Sequence, residues 1–199
     1  MNHISIIQHI LKQTYPDAHI MVSYKTPWEL LVAVILSAQC TDIRVNIVTK
    51  TLFTKYKTLA DYVNADSKEF EQDIRSTGFY HNKAKHIIAS AKLIQVKFHG
   101  EVPCTMEELL TLPGVARKTA NVVLHNTYGI AVDTHVMRLS KRLGLVSTQA
   151  YGNPIKIERE LMNVIPKSEW GNITYQLIDH GRAICQAKKP KCSVCPLKK

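Results

Sequence analysis

The sequence is short of the residues that make turns. Eight Gly and eight Pro among 199 residues come to 16, roughly 8% against a usual share of about 12%. That scarcity argues against a turn-rich β architecture and for helices. Long apolar runs are also missing. The longest, Leu30 to Leu36, is too short to cross a bilayer as a helix. The N-terminal stretch MNHISIIQHILKQTY mixes His, Gln and Lys among its apolar residues and lacks the unbroken apolar core of a signal peptide. These features predict a soluble, intracellular protein with its cysteines reduced. Acidic residues are few as well: 16 Asp and Glu face 26 Lys and Arg, a net charge of +10. Such an excess points to a polyanionic partner, either nucleic acid or an anionic membrane. The 45% apolar content is ordinary for a packed domain and argues against disorder.

Helical periodicity runs through most of the chain. Ile4, Ile7, Ile10 and Leu11 space a first amphipathic helix. Thr26 and Pro27 form a start signal for WELLVAVILSAQ, which is apolar on most faces and is expected to be a buried central helix. Asp42 is expected to cap a helix reaching about Tyr56. Further helices are predicted at about 58–64, 67–76, 81–98, 105–111, 116–127, 134–143, 153–164 and 168–183. Gly78 and Pro113-Gly114 interrupt the pattern. No strand pattern of useful length and no repeat occurs.

Three of the five cysteines, Cys185, Cys192 and Cys195, fall in the last fifteen residues with spacing Cys-x6-Cys-x2-Cys. In a reducing compartment such spacing suggests a metal more than a disulfide. Three readings stay open: an iron–sulfur cluster, a zinc site completed by His180, or three reduced thiols. Lys188, Lys189 and Lys191 lie inside or beside this loop.

The segment from Leu109 to Leu124, LLTLPGVARKTANVVL, reads as helix, tight turn, helix. A glycine turn leading into a helix aims backbone N–H groups outward, and with the helix dipole these favour a phosphate without reading any base. An ordinary helix–turn–helix corner would look the same. Its neighbourhood is more specific. Val132-Asp133-Thr134-His135-Val136, Leu36-Ser37-Ala38-Gln39 with Thr41-Asp42, Gly78-Phe79-Tyr80 with Lys83-Ala84, and the cysteine tail follow the order and spacing of one family. The chain resembles, over nearly its whole length, the endonuclease III family of the helix-hairpin-helix DNA glycosylase superfamily.

The resemblance implies an all-α, two-lobed fold. A six-helix barrel lobe would span about 22–129 and contain the hairpin. A discontinuous iron–sulfur lobe would combine 1–21 with 130–199. It implies a bifunctional DNA glycosylase and abasic-site lyase that removes oxidised pyrimidines through a lysine Schiff base and cuts the strand by β-elimination. The partner would be double-stranded DNA carrying damaged pyrimidines or abasic sites, engaged by a monomer associated with the nucleoid.

Lys118 stands where the family has its nucleophile. Strand cleavage through an imine needs a neutral amine, which desolvation or a neighbouring cation such as Arg117 favours. Asp133 stands at the family's carboxylate. Breaking an N-glycosidic bond builds positive charge on the sugar, and a fixed carboxylate opposite it stabilises that charge and can relay a proton. Asp133 also reads as a plain N-cap, and the two roles are compatible. Gln39 is a candidate to fill the gap left by a flipped nucleotide, with Phe79 or Tyr80 on the other strand; core packing is the competing reading for the two aromatics. The hairpin residues Leu112, Gly114, Val115, Ala116 and Thr119 are candidate DNA contacts. His135 is as readily a structural hydrogen-bonder as a DNA contact. Lys83, Lys85, Lys188, Lys189 and Lys191 are candidate phosphate contacts or simply a solvated basic face.

Two departures from the family pattern carry expectations. The family's second hairpin glycine is Ala116 here, which is tolerable if that position keeps a negative φ; it is expected to begin the second helix. The family's fourth cysteine would fall at position 201, beyond Lys199, so the 4Fe–4S cluster is expected to be incomplete or absent. Three rivals remain. A monofunctional adenine glycosylase would lack Lys118. A non-catalytic hairpin module would not need Asp133. An electron carrier would leave the hairpin unexplained.

Overall fold

The structure, a computed structural model, describes residues 2–198. Among them every regular element is helical. The eleven α-helices are α1 His3–Thr14, α2 Pro27–Leu36, α3 Asp42–Lys55, α4 Leu59–Val63, α5 Ser67–Ile74, α6 Tyr80–Lys97, α7 Met106–Leu109, α8 Arg117–Val123, α9 Thr134–Arg142, α10 Pro154–Val164 and α11 Trp170–Ala183. Short 3₁₀ turns lie at Arg75–Thr77, Thr148–Ala150, Lys167–Glu169 and Cys192–Val194. The protein is all-α, as the low Gly and Pro content predicts.

The starts of these helices follow from their caps. Thr26 accepts a bond from the Glu29 amide and Pro27 occupies the first turn of α2, where its missing N–H costs nothing. Thr41, not Asp42, caps α3: its side chain accepts from the Arg44 amide at 3.3 Å. Asp42 is instead the first helical residue, where a carboxylate complements the helix dipole. Helix α8 stops at Val123, short of the 127 that periodicity suggests, because His125 and Asn126 both adopt left-handed φ (50° and 58°).

The chain divides into two compact units, Met21–Leu124 and the discontinuous pair Met1–Ile20 with His125–Lys199. The change of unit therefore falls at 124/125, five residues before the sequence reading puts it.

In the unit of residues 21–124, α2 is the buried centre, and every residue from Leu30 to Leu36 is at most 7% exposed. It packs against α3, α6 and α8. Burying each such Leu or Ile contributes about 1.5–3 kcal/mol, which explains why this helix tolerates almost no polar residue. An aromatic cluster closes one side: Trp28 meets Tyr62 edge-on at 5.2 Å, and Tyr56 meets Phe70 at the same centroid distance. Helix α6 contributes a buried stripe of Lys83, Ala84, Ile87, Ser90, Ala91 and Ile94. In the other unit, α9 and α1 pack on α11. Its core gathers Ile7, Leu11, Val136, Leu139, Leu161, Ile173 and Leu177.

Candidate active site

The hairpin between α7 and α8 is fixed by packing on α6. Leu112 and Val115 turn their side chains into the core at 2% and 7% exposure, so neither side chain is a surface contact. The Val115 amide bonds the Leu112 carbonyl within the turn at 3.2 Å. Ser90 on α6 donates to the Pro113 carbonyl at 3.0 Å. Gly114 sits at φ +77° with the His86 ring so close that an added Cβ would lie 2.7–2.8 Å from it. This glycine is thus required twice, by its backbone and by its neighbour. Ala116 has φ −95° and is the N-cap of α8, not its first helical residue; a side chain is therefore free of strain there. Lys118, in the first turn of α8, is exposed, and its ammonium pairs with no described residue.

Asp133 caps α9. Its Oδ1 accepts from the amides of His135 (2.7 Å) and Val136 (2.8 Å). These bonds hold the carboxylate in one orientation. Oδ2 accepts no hydrogen bond from the described residues. His135 is half-buried: its ring packs against Gly181 of α11 and its Nδ1 meets an Arg138 Nη at 3.0 Å. Burial, foremost, holds its pKa below the usual histidine value.

The two candidate insertion residues share a backbone peculiarity. Gln39 (φ 53°) and Phe79 (φ 50°) are both left-handed and both exposed, Phe79 at 62%. Phe79 is therefore not a core residue. Tyr80 is half-buried and stacks on His81 at 4.1 Å. Gln39, Phe79, Asn82, His86, Gly114 and Thr119 line one shallow cavity of about 260 Å³. Lys83 departs from expectation. It is 4% exposed, and its Nζ donates to the carbonyls of Leu36 (2.8 Å) and Thr77 (2.9 Å). An ammonium committed in this way is not a surface phosphate contact. Lys85, Lys188, Lys189 and Lys191 are exposed.

Cys185, Cys192 and Cys195 are unpaired thiols lining one cavity of about 620 Å³, together with Ile7, Pro190 and Leu197. Among the described residues no three His, Cys, Asp or Glu side chains converge on one point as a metal ion requires. A 4Fe–4S cluster takes each cysteine on a different iron, so thiols spread around a cavity suit it better than tetrahedral zinc. His180 is fully buried, with Tyr15 Oη 3.1 Å from its Nδ1 and Cys195 Sγ 3.6 Å from its Nε2. Two arginines of α9, missed by sequence reasoning, clasp the loop. Arg138 donates to the Gly181 and Cys185 carbonyls, and Arg142 to those of Gln186 and Ala187 and to Cys185 Sγ at 3.4 Å. Their contacts lie more than forty residues away, so no local pattern marks them.

Residues 32–167 match the HhH-GPD superfamily of base excision DNA repair proteins. Endonuclease III of Synechocystis sp. is 54% identical over 192 residues, covering 94% of this chain and 86% of that protein. Endonuclease III of Bacillus subtilis is 48% identical, covering 92% and 84%. The chain belongs to the endonuclease III family. A solved structure of a trapped endonuclease III–DNA covalent intermediate matches its fold with a TM-score of 0.91 and 46% identity, covering 99% of this chain and 94% of that one. An endonuclease III is thus known to bond covalently to DNA on this fold. Among the described residues of this family member, no helix is long and apolar enough to cross a membrane.

Proposed function

We propose that Lys118 is the nucleophile and Asp133 the charge-stabilising carboxylate of a bifunctional DNA glycosylase and abasic-site lyase acting on oxidised pyrimidines in duplex DNA. Family membership makes the chain a base excision repair glycosylase with lyase activity. Two separate observations support the residue assignment: Lys118 is exposed in the first turn of α8, and the Asp133 carboxylate is held by two amides through one oxygen only.

The Lys118 lone pair attacks C1′ as the glycosidic bond breaks, and the base leaves with the bonding electrons and takes up a proton. Asp133, oriented through Oδ1, stabilises the positive charge on the sugar and accepts the lysine proton through Oδ2. The sugar ring opens to a protonated imine on Lys118. Loss of a C2′ proton then expels the 3′ phosphate, which cuts the strand, and water releases the enzyme. The exposed ammonium must shed its water and one proton as the sugar docks, before its lone pair can attack. DNA is held mainly through its phosphates: the hairpin's backbone and Thr119 serve one strand, and Lys188, Lys189 and Lys191 add charge. Gln39 and Phe79 fill the space the flipped nucleotide leaves.

Cys185, Cys192 and Cys195 would hold a 4Fe–4S cluster. The proposed chemistry moves no electrons, so the cluster would serve to order the lysine-rich loop. Borohydride reduction on an abasic-site duplex tests the reading. A covalent protein–DNA adduct is expected, and its absence with bound DNA would leave a glycosylase without lysine chemistry.

A further inference from the structure

Burying a lysine is costly, because its ammonium loses water and regains only what the interior supplies. Lys83 is 4% exposed, and no carboxylate offsets its charge; two backbone carbonyls accept from it instead. Desolvation lowers its pKa. An apolar residue would continue the stripe that Ala84, Ile87 and Ile94 make on α6 at less cost. The positions of the two carbonyls suggest what the lysine supplies.

Leu36 is the last residue of α2, and its carbonyl lies at the helix end where a cation is favoured. Three residues on, inside a turn closed by the Cys40 amide on the Ser37 carbonyl (3.1 Å), comes Gln39. Thr77 ends the 3₁₀ turn before α6, and two residues on, past Gly78 at φ 71°, comes Phe79. Lys83 itself follows Phe79 by one helical turn, its amide bonded to the Phe79 carbonyl at 3.1 Å. One ammonium therefore ties together the roots of two loops, each bearing an exposed residue in the left-handed conformation. Left-handed backbone is unfavourable for Gln and Phe and persists only where its surroundings enforce it. Neither residue has a side-chain or backbone bond of its own to the other loop among the described residues.

We propose that Lys83 is a positioning residue that holds Gln39 and Phe79 at a fixed separation, so that the two enter the duplex as one rigid pair. This rests on the reading that Gln39 and Phe79 are the residues that occupy the helix when a nucleotide is flipped. Lys83 touches neither DNA nor the reacting atoms and acts only through the two loops.

The test compares borohydride trapping on an abasic site in duplex DNA with trapping on the same site in single-stranded DNA, where no flipping is needed. The duplex-to-single-strand ratio cancels any general loss of folded protein. Lys83→Met is expected to lower that ratio by about a hundredfold, the scale of an ångström-sized misplacement. Lys83→Arg keeps the charge and donors but moves them, and is expected to lower it less; it serves as the readout if Lys83→Met does not fold. The double variant Gln39→Ala/Phe79→Ala is expected to lower the ratio too, and adding the Lys83 change to it should lower it no further. An unchanged ratio in Gln39→Ala/Phe79→Ala would refute the insertion reading itself. A lowered ratio there with an unchanged ratio in both Lys83 variants would overturn the positioning role, as would full additivity of the two effects.

Discussion

The hairpin and the cysteine loop are both short, irregular segments to which the proposed function gives DNA contacts, yet they are held in opposite ways. The hairpin is built from the inside. Leu112 and Val115 are buried, Pro113 is tied to Ser90, and Gly114 rests on the His86 ring. Its shape follows from apolar packing and survives as long as the unit around it. The cysteine loop is built from the outside. From Gln186 to Val194 every residue is exposed, and its order comes from hydrogen bonds: the Lys191 amide on the Ile184 carbonyl closes it, Arg142 holds the Gln186 and Ala187 carbonyls, and Arg138 holds that of Cys185 at its base. A segment with so little buried apolar surface is drawn from the low end of local stability. A ligand that joins its three cysteines would supply what packing does not. On the proposed function, the chemistry falls to the self-supporting hairpin, and the adjustable phosphate grip to a loop that a cofactor would order.

The sharpest way to break this contrast is at Lys118. Lys118→Ala or Lys118→Gln is expected to abolish strand cleavage and borohydride cross-linking. Affinity for duplex DNA should hold or rise, because one exposed amine contributes little to a many-contact interface. Cross-linking at the wild-type level would move the nucleophile to another amine. Next in size is Asp133→Asn. Asn caps a helix as well as Asp does, so thermal stability should be nearly unchanged. Loss of the charge opposite the sugar should slow excision of an oxidised pyrimidine by about two to three orders of magnitude. Excision at the parental rate would reduce Asp133 to a cap.

How much of this was legible beforehand depended on reach along the chain. The cap at Asp133, the glycine turn at 114 and the tolerance of Ala116 are properties of consecutive residues, and periodicity with capping rules reads them directly. Lys83 was misassigned because its partner Leu36 lies 47 residues away. One signal was available: positions 83, 87, 90 and 94 form a single stripe of α6, and a lysine on an apolar stripe is a candidate for burial. Arg138 and Arg142 carried no such mark. The limits of α3 and α8 were missed for local reasons, a threonine preceding an aspartate in the first case and two left-handed residues in the second.

The hairpin's self-support can be tested at its tightest point. Gly114→Ala combines a left-handed backbone with a Cβ pressed into the His86 ring. Strain of this kind costs about 1–3 kcal/mol, so the melting temperature should fall by several degrees, and duplex binding should weaken with it. Ala116→Gly, where φ is negative, is the control and should leave stability unchanged or slightly raised, because Gly is a better N-cap than Ala. Equal effects at the two positions would contradict the packing account. The loop makes the complementary test. Trypsin should cut after Lys188 and Lys191 about tenfold faster or more once iron is chelated away, since a ligand bound only by the ordered loop stabilises it by mass action. Cleavage at Lys118 should be unaffected, and equal sensitivity at both places would erase the distinction.

The smallest effect concerns the loop's charge. Lys188, Lys189 and Lys191 are exposed and pair with no described residue, so their ammonium groups are available to phosphates. Each phosphate contact releases condensed counterions and adds about −0.9 to the log–log slope of affinity against salt. With a net charge of +10, a total of roughly four to eight contacts gives a steep slope on undamaged duplex. Replacing one loop lysine by Ala should make that slope shallower by about 0.9 if it touches a phosphate and leave it unchanged if it does not. The effect on affinity should be similar for every sequence, because a phosphate carries no base information. In iron-depleted protein the same substitution should change the slope less, since a disordered loop no longer holds its lysines at the backbone. A slope near zero in the parent protein, or the same change with and without iron, would detach the loop's charge from its order.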